Sequence, residues 1–332
     1  MRIRSRLKTL MSEKHFTTAM LAQDHNISRE AIANLRKDDW QGVSKPTFAR
    51  LCAALRVGPG ELFETVPDDI WEPIVDSGEV TIHIGKRNVQ LSQAGLGDSE
   101  RQEIVGSWDL LAYECILEFM HRMHPHTTVH LQVAPTASKR PAPKLDAKMC
   151  DIFPAGNHIV IGSSVANELA ESVICAAYKT QPHQPPKTLE EAAMPLVFNW
   201  GRRHVESSFG LQRKDCKPGI WSKKRNLIAE VVQPTNSNVN GRDCALVVTL
   251  QEREATSNAA RVVIALVGYG GPGTLAAARI LVDNAPPLQL SSSPAPRMWG
   301  VQATYVRDGA GDHDPRVLQE QRLLPSESEE TT

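Results

Sequence analysis

The sequence predicts two domains of different class: an N-terminal all-α domain of five short helices, and a larger α/β domain with a mostly parallel sheet covered by helices. The first 65 residues carry apolar side chains at helical spacing. Further along, short apolar runs alternate with helical patterns, as in a parallel sheet whose strands are buried on both faces. We therefore expect the all-α domain at 1–66, a proline-rich acidic linker at 67–78, the α/β domain at 79–320 and a disordered acidic tail at 321–332.

Charge divides the chain in the same way. Its 332 residues have a net charge of −1, yet residues 1–56 hold eleven Lys and Arg against five Asp and Glu. A phosphate-binding head on a larger acidic body has this asymmetry, and so does a solubilising charged end. The overall composition, 41% hydrophobic and 23% charged, is that of an ordinary soluble globular protein.

Cysteine usage and hydropathy indicate the compartment. The six cysteines are spaced singly with no C-x-x-C pair, which favours buried free thiols in a reducing cytoplasm. No apolar run approaches the roughly 20 residues of a membrane helix. The basic N-terminus lacks the apolar core of a signal peptide. We expect a cytoplasmic protein with no membrane partner.

The stretch at 17–40 predicts two short helices joined by a tight turn. Ile32 and Leu35 mark the inner side of the second helix. Asn26 occupies the turn, where a residue must tolerate a positive φ. Ser28 follows as a candidate N-cap whose hydroxyl can accept from free amides of the second helix. The outward positions of that helix are small, polar or charged, and they suit base edges in a DNA major groove.

Helical spacing continues on both sides of this pair. Residues 3–12 are predicted as a helix that leads into it. Residues 44–57 predict another helix with Ser44 as its cap, and the glycine-proline-glycine at 58–60 ends it. A last short turn with inward-facing apolar residues follows at 60–64. Together these segments make the five helices of a compact domain.

The run from Thr17 to Phe63 resembles the Cro/CI-type (XRE) helix-turn-helix family of phage and bacterial regulators. The matching positions are Leu21-Ala22, the turn at Asn26, Ile27-Ser28, Ile32, the helix from Phe48 to Leu55, and Gly60–Phe63. The resemblance covers about a fifth of the chain. The sequence departs from the family pattern at His25, where an apolar residue is usual, and at Asn26, where glycine is usual.

The resemblance implies a bacterial, nucleoid-associated protein that binds a double-stranded DNA operator. It also implies a homodimer, because one small head binds weakly and a two-fold dimer spans two half-sites. The residues implied at the DNA are Thr18 near a phosphate, Ser28 at the start of the recognition helix, Arg29, Glu30, Ala33 and Asn34 at the bases, and Lys37 and Lys45 at backbone phosphates.

The larger domain is predicted from strand and helix patterns in order. A strand at 79–85, a helix at 98–123 and a strand at 127–135 come first. A strand, a small-residue turn and a helix follow at 158–178, and the same pattern recurs at 260–284. Further strands are predicted at 226–234, 243–251 and 298–308.

The turns of these two strand-turn-helix units are candidate ligand sites. The second has the spacing G-x-G-x-x-G. Amides at a helix start approach a phosphate or carboxylate closely when no Cβ intervenes, and two such turns at neighbouring strand ends share one crevice. We expect a small phosphate-bearing or otherwise anionic effector and no required cofactor; tight turns that pack a helix onto a sheet are the alternative. The candidate ligand-binding residues are Gly162, Ser163, Ser164, Asn167, Gly268, Gly270, Gly271, Gly273 and Thr274.

Neither turn completes a nucleotide fingerprint. A dinucleotide fold needs an acidic residue about 20 positions on. After the second turn that region is LQLSSSPAP, which has no acid, and Asp308 comes too late; no Walker lysine follows either turn. No Ser/His/Asp, Cys/His or paired-carboxylate arrangement is visible, so we assign no catalytic residue. The histidines at 121, 124, 126 and 130 are predicted as surface or partly buried side chains rather than a metal site.

The basic stretch at 202–225 has two interpretations. It is either a second nucleic-acid surface on which Trp200 and Trp221 stack, or a solvated loop with two buried tryptophans. For the whole chain, the sequence predicts a DNA-binding transcriptional regulator whose α/β domain dimerises and senses a ligand. The alternatives are a nucleotide- or NAD-processing enzyme domain with a DNA-binding head, and an antitoxin-like binding protein.

Overall fold

The computed structural model divides the chain into two compact units, Met1–Asp69 and Ile70–Thr332, which we call the head and the body. The residues that the structure describes are 2–37, 42–66, 70–90, 101–134, 149–153, 155–162, 167–203, 205, 207–224, 226–233, 240–253, 260–283, 295–306 and 318–324. Most of the tail predicted at 321–332 lies outside them, and its first four residues belong to a strand.

The head contains four helices of seven or more residues, a single helical turn and two short strands among its described residues. In chain order they are β1 (Arg2–Ser5), α1 (Leu7–Glu13), α2 (Thr18–Asp24), α3 (Arg29–Lys37), α4 (Lys45–Leu55), α5 (Pro59–Leu62) and β2 (Phe63–Val66). The prediction of an all-α domain is wrong at its two ends, because β1 and β2 pair antiparallel. The helix expected at 3–12 accordingly begins only at Leu7.

Local caps and one apolar cluster explain the helices of the head. Thr17 Oγ1 accepts from the first turn of α2, and Ser44 Oγ accepts from the first turn of α4, as predicted for Ser44. The apolar positions of all the helices meet in one core. Its fully or nearly fully buried members are Leu7, Leu10, Met11, Leu21, Ile27, Ile32, Leu35, Leu51, Ala54, Leu55 and Leu62.

The body begins with a helix in the predicted linker. The first elements of the body are α6 (Glu72–Ser77), β3 (Glu79–Ile84), β4 (Lys86–Gln90), β5 (Arg101–Val105), α7 (Ser107–Met123) and β6 (Thr128–Val133). Ile70, Trp71 and Ile74 are buried in the core of the body, so this unit starts before residue 79. The long helix expected from residue 98 begins only at Ser107, because residues 101–105 pair with β4 as a hairpin.

The remaining elements of the body are α8 (Met149–Ile152), β7 (His158–Ile161), α9 (Glu168–Tyr178), β8 (Leu196–Asn199), β9 (Gly210–Leu211), β10 (Gly219–Ser222), β11 (Leu227–Glu230), β12 (Gly241–Arg253), β13 (Ala260–Gly268), α10 (Gly271–Val282), β14 (Arg297–Tyr305) and β15 (Leu318–Leu324). Seven strands form one sheet in the order β15-β14-β12-β13-β7-β3-β6. A smaller sheet has the order β11-β10-β8-β9.

The main sheet is mixed, so the prediction of a mostly parallel sheet holds for only half of it. β13, β7, β3 and β6 are parallel neighbours. β13, β12, β14 and β15 are antiparallel neighbours. The central strands of both halves, such as β7 and β12, are apolar, because they are covered on their two faces. Apolar runs alone therefore could not distinguish them.

Two apolar cores lie on opposite faces of this sheet. Alternate residues of β13 point to opposite faces, as the period of a strand requires. Val263, Ala265 and Val267 join the core that contains α9 and the smaller sheet. Ile264 and Leu266 join the core that contains α7 and α10. The predicted α/β architecture, a sheet covered by helices, is confirmed in this coarser form.

Candidate nucleic-acid interface and crevice

Hydrogen bonds fix the turn between α2 and α3. Asn26 has φ of 51°, the positive value predicted for this position. Ser28 Oγ accepts from the third amide beyond it at 3.0 Å, so it caps α3. Arg50 Nη1 donates to the carbonyl oxygen of Asn26 at 2.8 Å. His25, one of the two departures from the family pattern, lies against Phe16 with ring centroids 6.1 Å apart.

The helix α3 has one buried and one exposed face. Ile32 and Leu35 are 0% and 1% exposed in the core of the head. Positions i, i+1, i+4 and i+5 of a helix share a face, and the four residues expected at the bases occupy such positions and are exposed. They are Arg29, Glu30, Ala33 and Asn34. Ser28 and Lys45 are exposed as well, whereas the side chain of Lys37 lies outside the described residues.

Thr18 already has a side-chain partner. Its Oγ1 accepts from Arg36 Nη1 at 2.9 Å, which holds an exposed cation beside the start of α2. The resemblance implies a phosphate contact for Thr18 but names no role for Arg36. The spacing of the sequence does indicate that Arg36 lies near the DNA-facing residues, because it follows Arg29 by seven residues, which is two helical turns on the same face.

In the body, the two small-residue turns lie side by side. Ile161 of β7 pairs with Leu266 of β13, and Gly162 N donates to Leu266 O at 3.0 Å. The helix α9 leaves β7 on one face of the sheet, and α10 leaves β13 on the other. Strand ends from which helices diverge in this way are the usual ligand position in an open α/β sheet, and we call the region between the two turns the crevice. Gly162 has φ of +118°, a conformation that side chains rarely adopt.

Asn167 binds the backbone around the first turn. Its Nδ2 donates to Ile161 O at 2.9 Å, and its Oδ1 accepts from Leu169 N at 3.0 Å. The side chain is completely buried. Asn167 therefore caps α9 and ties it to β7 with both ends of its amide. Ser163 and Ser164, predicted with it as ligand-binding residues, lie outside the described residues.

A buried carboxylate occupies the start of α10. Asp243 Oδ2 accepts from Gly273 N at 3.0 Å, and Asp243 Oδ1 accepts from Cys244 N at 2.8 Å. Burial raises the pKa of Asp243 to about 6, although these amides and the Arg203 guanidinium favour the ionised form. The helix N-terminus that the sequence offers to an anion is thus capped from inside the protein.

Close packing accounts for the glycines of the second turn. A Cβ at any of the four would lie under 3.0 Å from another atom of the body, a separation that real Cβ atoms essentially never show. The atoms concerned are Thr274 Oγ1 for Gly268, Asp243 Oδ2 for Gly270, Trp108 Cδ1 for Gly271 and Cys244 O for Gly273. Thr274 Oγ1 in turn donates to Gly270 O at 3.2 Å. The G-x-G-x-x-G spacing here serves helix and sheet packing.

Arg203 places an exposed guanidinium at the second turn. Its Nη1 donates to Tyr269 O at 3.0 Å, and its Cζ lies 4.8 Å from the centroid of the Tyr269 ring, a cation–π distance. The Tyr269 ring stacks on Trp200 at 4.8 Å between centroids. Trp200 is 1% exposed, so its indole is not available to stack on bases. Arg203 belongs to the basic stretch whose role the sequence left open.

Carboxylates flank both turns, which the sequence did not reveal. Asp109, 4% exposed in the first turn of α7, has its Oδ2 3.3 Å from the place that a Cβ on Gly162 would take. Asp243 lies beside Gly270 in the same way. The two aspartates are far apart in the chain and lie on different elements, Asp109 on α7 and Asp243 on β12. Only the tertiary fold brings them to the two turns.

A third buried carboxylate, Glu171, organises the loop after the smaller sheet's first strand. It is 0% exposed and accepts from Ser207 Oγ at 2.9 Å, Ser208 N at 2.7 Å and His183 N at 3.0 Å. Glu168, one turn earlier on α9, lies 3.6 Å from His183 Nε2. Cys175 Sγ is a fourth donor to Glu171, at 3.8 Å. With four donors on one carboxylate, Glu171 is held as a structural acceptor.

For metal sites and membrane helices, the structure informs only on the residues that it describes. Within it, no group of three or more His, Cys, Asp or Glu side chains could hold a metal ion. No helix there has the length and apolar character to cross a membrane. His130, one of the histidines considered for a metal, forms an exposed pair with Glu79 at 4.0 Å. Among the side chains that the structure describes, the free thiols are Cys52, Cys115, Cys175, Cys216 and Cys244.

Comparison with known families identifies the head. Residues 6–68 match the family model of the Cro/C1-type HTH DNA-binding domain. The matched segment contains the helices α1 to α5, so the predicted helix-turn-helix family is confirmed for this unit. No curated protein and no solved structure matches the chain.

Proposed function

We propose that this chain, whose residues 6–68 form a Cro/C1-type helix-turn-helix DNA-binding domain, is a sequence-specific transcriptional regulator. The observation that carries the proposal is the exposed face of α3. Arg29 and Asn34 lie on it, and these are residue types that bind guanine and adenine edges bidentately. The buried face of the same helix anchors it through Ile32 and Leu35. The head therefore exposes Arg29 and Asn34 on a helix face that the core holds in place, and we call this face the reading surface.

The head also carries cations for the phosphate backbone. Lys45 begins α4, and Arg36 is held by Thr18 at the start of α2. Phosphate contacts position a protein on DNA without reading its sequence, and they make binding weaken as salt rises. Removing a base contact should therefore relax specificity. Removing Arg36 should weaken binding uniformly and reduce its salt dependence.

A mobility-shift assay on the protein's own upstream region tests this assignment. Each lost base contact costs about 1–3 kcal/mol, a factor of about 5 to 150 in affinity. We expect the double substitution Arg29→Ala with Asn34→Ala to weaken specific binding by at least the factor expected for the loss of one base contact. Arg122→Ala, an exposed arginine of the body, is the matched control. If the double variant binds that DNA as well as the parent does, the reading surface is misassigned.

For the body, we propose dimerisation and binding of a small anionic ligand at the crevice. The support is the position of Gly162 at the end of β7 and the exposed Arg203 guanidinium on Tyr269 at the end of β13. Because Gly273 N is taken by Asp243, the anionic group of the ligand would meet Arg203 rather than the start of α10. Coupling to DNA of about 1–3 kcal/mol is typical of such regulators.

Thermal unfolding of the full chain with added compounds tests the ligand. The probes are inorganic phosphate, mononucleotides and NAD at equal concentration. We expect one of them to raise the melting temperature, and Arg203→Gln to abolish that rise. Arg202→Gln changes the neighbouring exposed arginine and should keep it. No stabilisation by any probe, or full stabilisation of Arg203→Gln, would remove the proposed ligand site.

One observation favours a second function for the body. The carboxylates of Asp109 and Asp243 flank the two turns, and a crevice with buried carboxylates suits a nucleotide-processing enzyme. Turnover of the same nucleotides by the full chain, lost in Asp109→Asn, would support the enzyme. Stabilisation by one of them without turnover would support the sensor.

A further inference from the structure

The strand β6 is the last in the main sheet among the described residues. Its six residues pair continuously with β3, from Glu79 opposite Thr128 to Ile84 opposite Val133, with no bulge. Its sequence, TVHLQV, contains no Lys, Arg, Asp, Glu or Pro. Natural proteins usually protect an edge strand with charges, proline or a bulge. The edge of β6 has none of these.

Hydrogen bonds to β3 define which backbone groups of β6 face outward. Thr128 N donates to Gly78 O and Ala134 N donates to Ile84 O, each at 2.8 Å. The N–H and C=O of one strand residue point to the same side, and successive residues alternate. The even-numbered residues of β6 therefore face β3. Val129, Leu131 and Val133 direct their N–H and C=O away from the sheet.

The outward residues are also the apolar ones. Leu131 and Val133 are 43% and 41% exposed, although they lie opposite the buried Ile82 and Ile84 on the same sheet face. Val129 packs at the margin of the core that contains α7. An edge that offers three pairs of backbone groups together with apolar side chains is built to receive another strand.

We propose that β6 pairs antiparallel with the same strand of a second copy of this chain. Pairing about a two-fold axis requires that residues facing each other share both a sheet face and an outward backbone. The register that uses all three outward residues places Leu131 opposite its own copy and Val129 opposite Val133 of the partner subunit. His130 then faces Gln132 of the partner subunit, so no charge meets its like.

The inference deepens the dimerisation in the proposed function and rests on it for its biological sense, since a Cro/C1-type head reads paired half-sites as a dimer. Its physical basis is separate from DNA binding. The dimer forms through the body, so its mass can be measured without an operator. A chain that dimerises through β6 but binds no DNA would retain this inference and remove the regulator. A chain that binds its operator but does not dimerise through β6 would remove this inference and retain the regulator.

The experiment is sedimentation equilibrium of the full chain at micromolar concentration. We expect the parent to have twice the chain mass of 36.6 kDa. Leu131→Lys and Leu131→Glu should each have the single mass, because each places like charges opposite each other. A mixture of the two variants should regain the doubled mass. Leu110→Lys, on α7 with a similar exposure of 40%, is the matched control and should stay dimeric.

Folding of each variant is checked by circular dichroism and thermal unfolding. Leu131→Pro is a second variant that removes only an outward N–H and leaves the pairing with β3 intact, so it too should be a folded chain of single mass. A parent of single mass, a doubled mass in Leu131→Lys, or a mixture that stays at single mass would each overturn the Leu131-centred pairing.

Discussion

Replacing Asp243 by Asn should change how the stability of the body depends on pH. In the folded chain, burial raises the pKa of Asp243 to about 6 from an ordinary value of 3.8. The folded state therefore binds the proton more tightly than the unfolded state. The stabilisation from this proton is complete below pH 3.8 and is lost as the pH rises through about 6. At neutral pH the carboxylate is ionised in both states.

The size of the effect follows from the two pKa values. Between pH 5 and pH 7.5, linkage gives a loss on the order of 1 kcal/mol of unfolding free energy from this one group. For a unit of this size, that corresponds to a fall of about 2–4 °C in melting temperature. The amide that the Asp243→Asn substitution introduces cannot ionise. The melting temperature of the parent minus that of the Asp243→Asn variant should therefore be larger at pH 5 than at pH 7.5 by this amount.

The assay is differential scanning calorimetry of the full chain at both pH values, following the transition that the substitution moves. Asp215→Asn is the control, because Asp215 is an exposed carboxylate paired with Arg213 on the surface. It should leave the pH dependence of that transition nearly unchanged. If the difference between parent and Asp243→Asn is the same at both pH values, or larger at pH 7.5, the reasoning about the buried carboxylate fails.

Two further substitutions test packing and buried hydrogen bonds in the body by thermal unfolding. Gly273→Ala forces a Cβ against the Cys244 carbonyl and should destabilise the body by about 1–3 kcal/mol. Gly42→Ala is the control, because its Cβ would meet nothing within 4 Å, and it should leave the stability nearly unchanged. Equal losses of stability in the two variants would refute the packing role of Gly273. Glu171→Gln turns an acceptor oxygen into a donor that faces Ser207 or a backbone amide. It should lower the free energy of unfolding by about 1–3 kcal/mol. An unchanged melting temperature would show that these hydrogen bonds contribute little.

The helices of the head could be predicted because their signals are local. Ser28 and Ser44 cap helices within three residues of themselves, and Asn26 has the positive φ expected of a tight turn. The β1–β2 pair could not be predicted, because residues 2–5 contact residues 63–66 across the whole unit. Short polar strands of this kind carry little hydrophobic pattern of their own.

The adjacency of the two turns could be predicted from the sequence, but the residues that contact them could not. The strand-turn-helix patterns predicted that the turns at Gly162 and Gly268 lie at neighbouring strand ends, and they do. The partners of these turns come from distant elements, since Asp243 lies on β12 and Asp109 on α7. A carboxylate that caps a helix from another strand leaves no spacing signal. For this reason the sequence suggested an open anion site where the structure has an internal cap.

The proposed ligand binding at the crevice and the proposed pairing at β6 can be linked by one equilibrium argument. β3 alone separates β6 from β7, whose end carries Gly162, so the proposed ligand site and the proposed dimer edge belong to one sheet. If the dimer binds the stabilising compound more tightly than the monomer by some factor per site, saturation must tighten the dimer by the square of that factor, because each dimer holds two ligands. Affinity measured on the parent and on the Leu131→Lys monomer gives the factor. The dimer dissociation constant with and without ligand gives its square. Unequal values would mean that the ligand acts on the two processes through different sites.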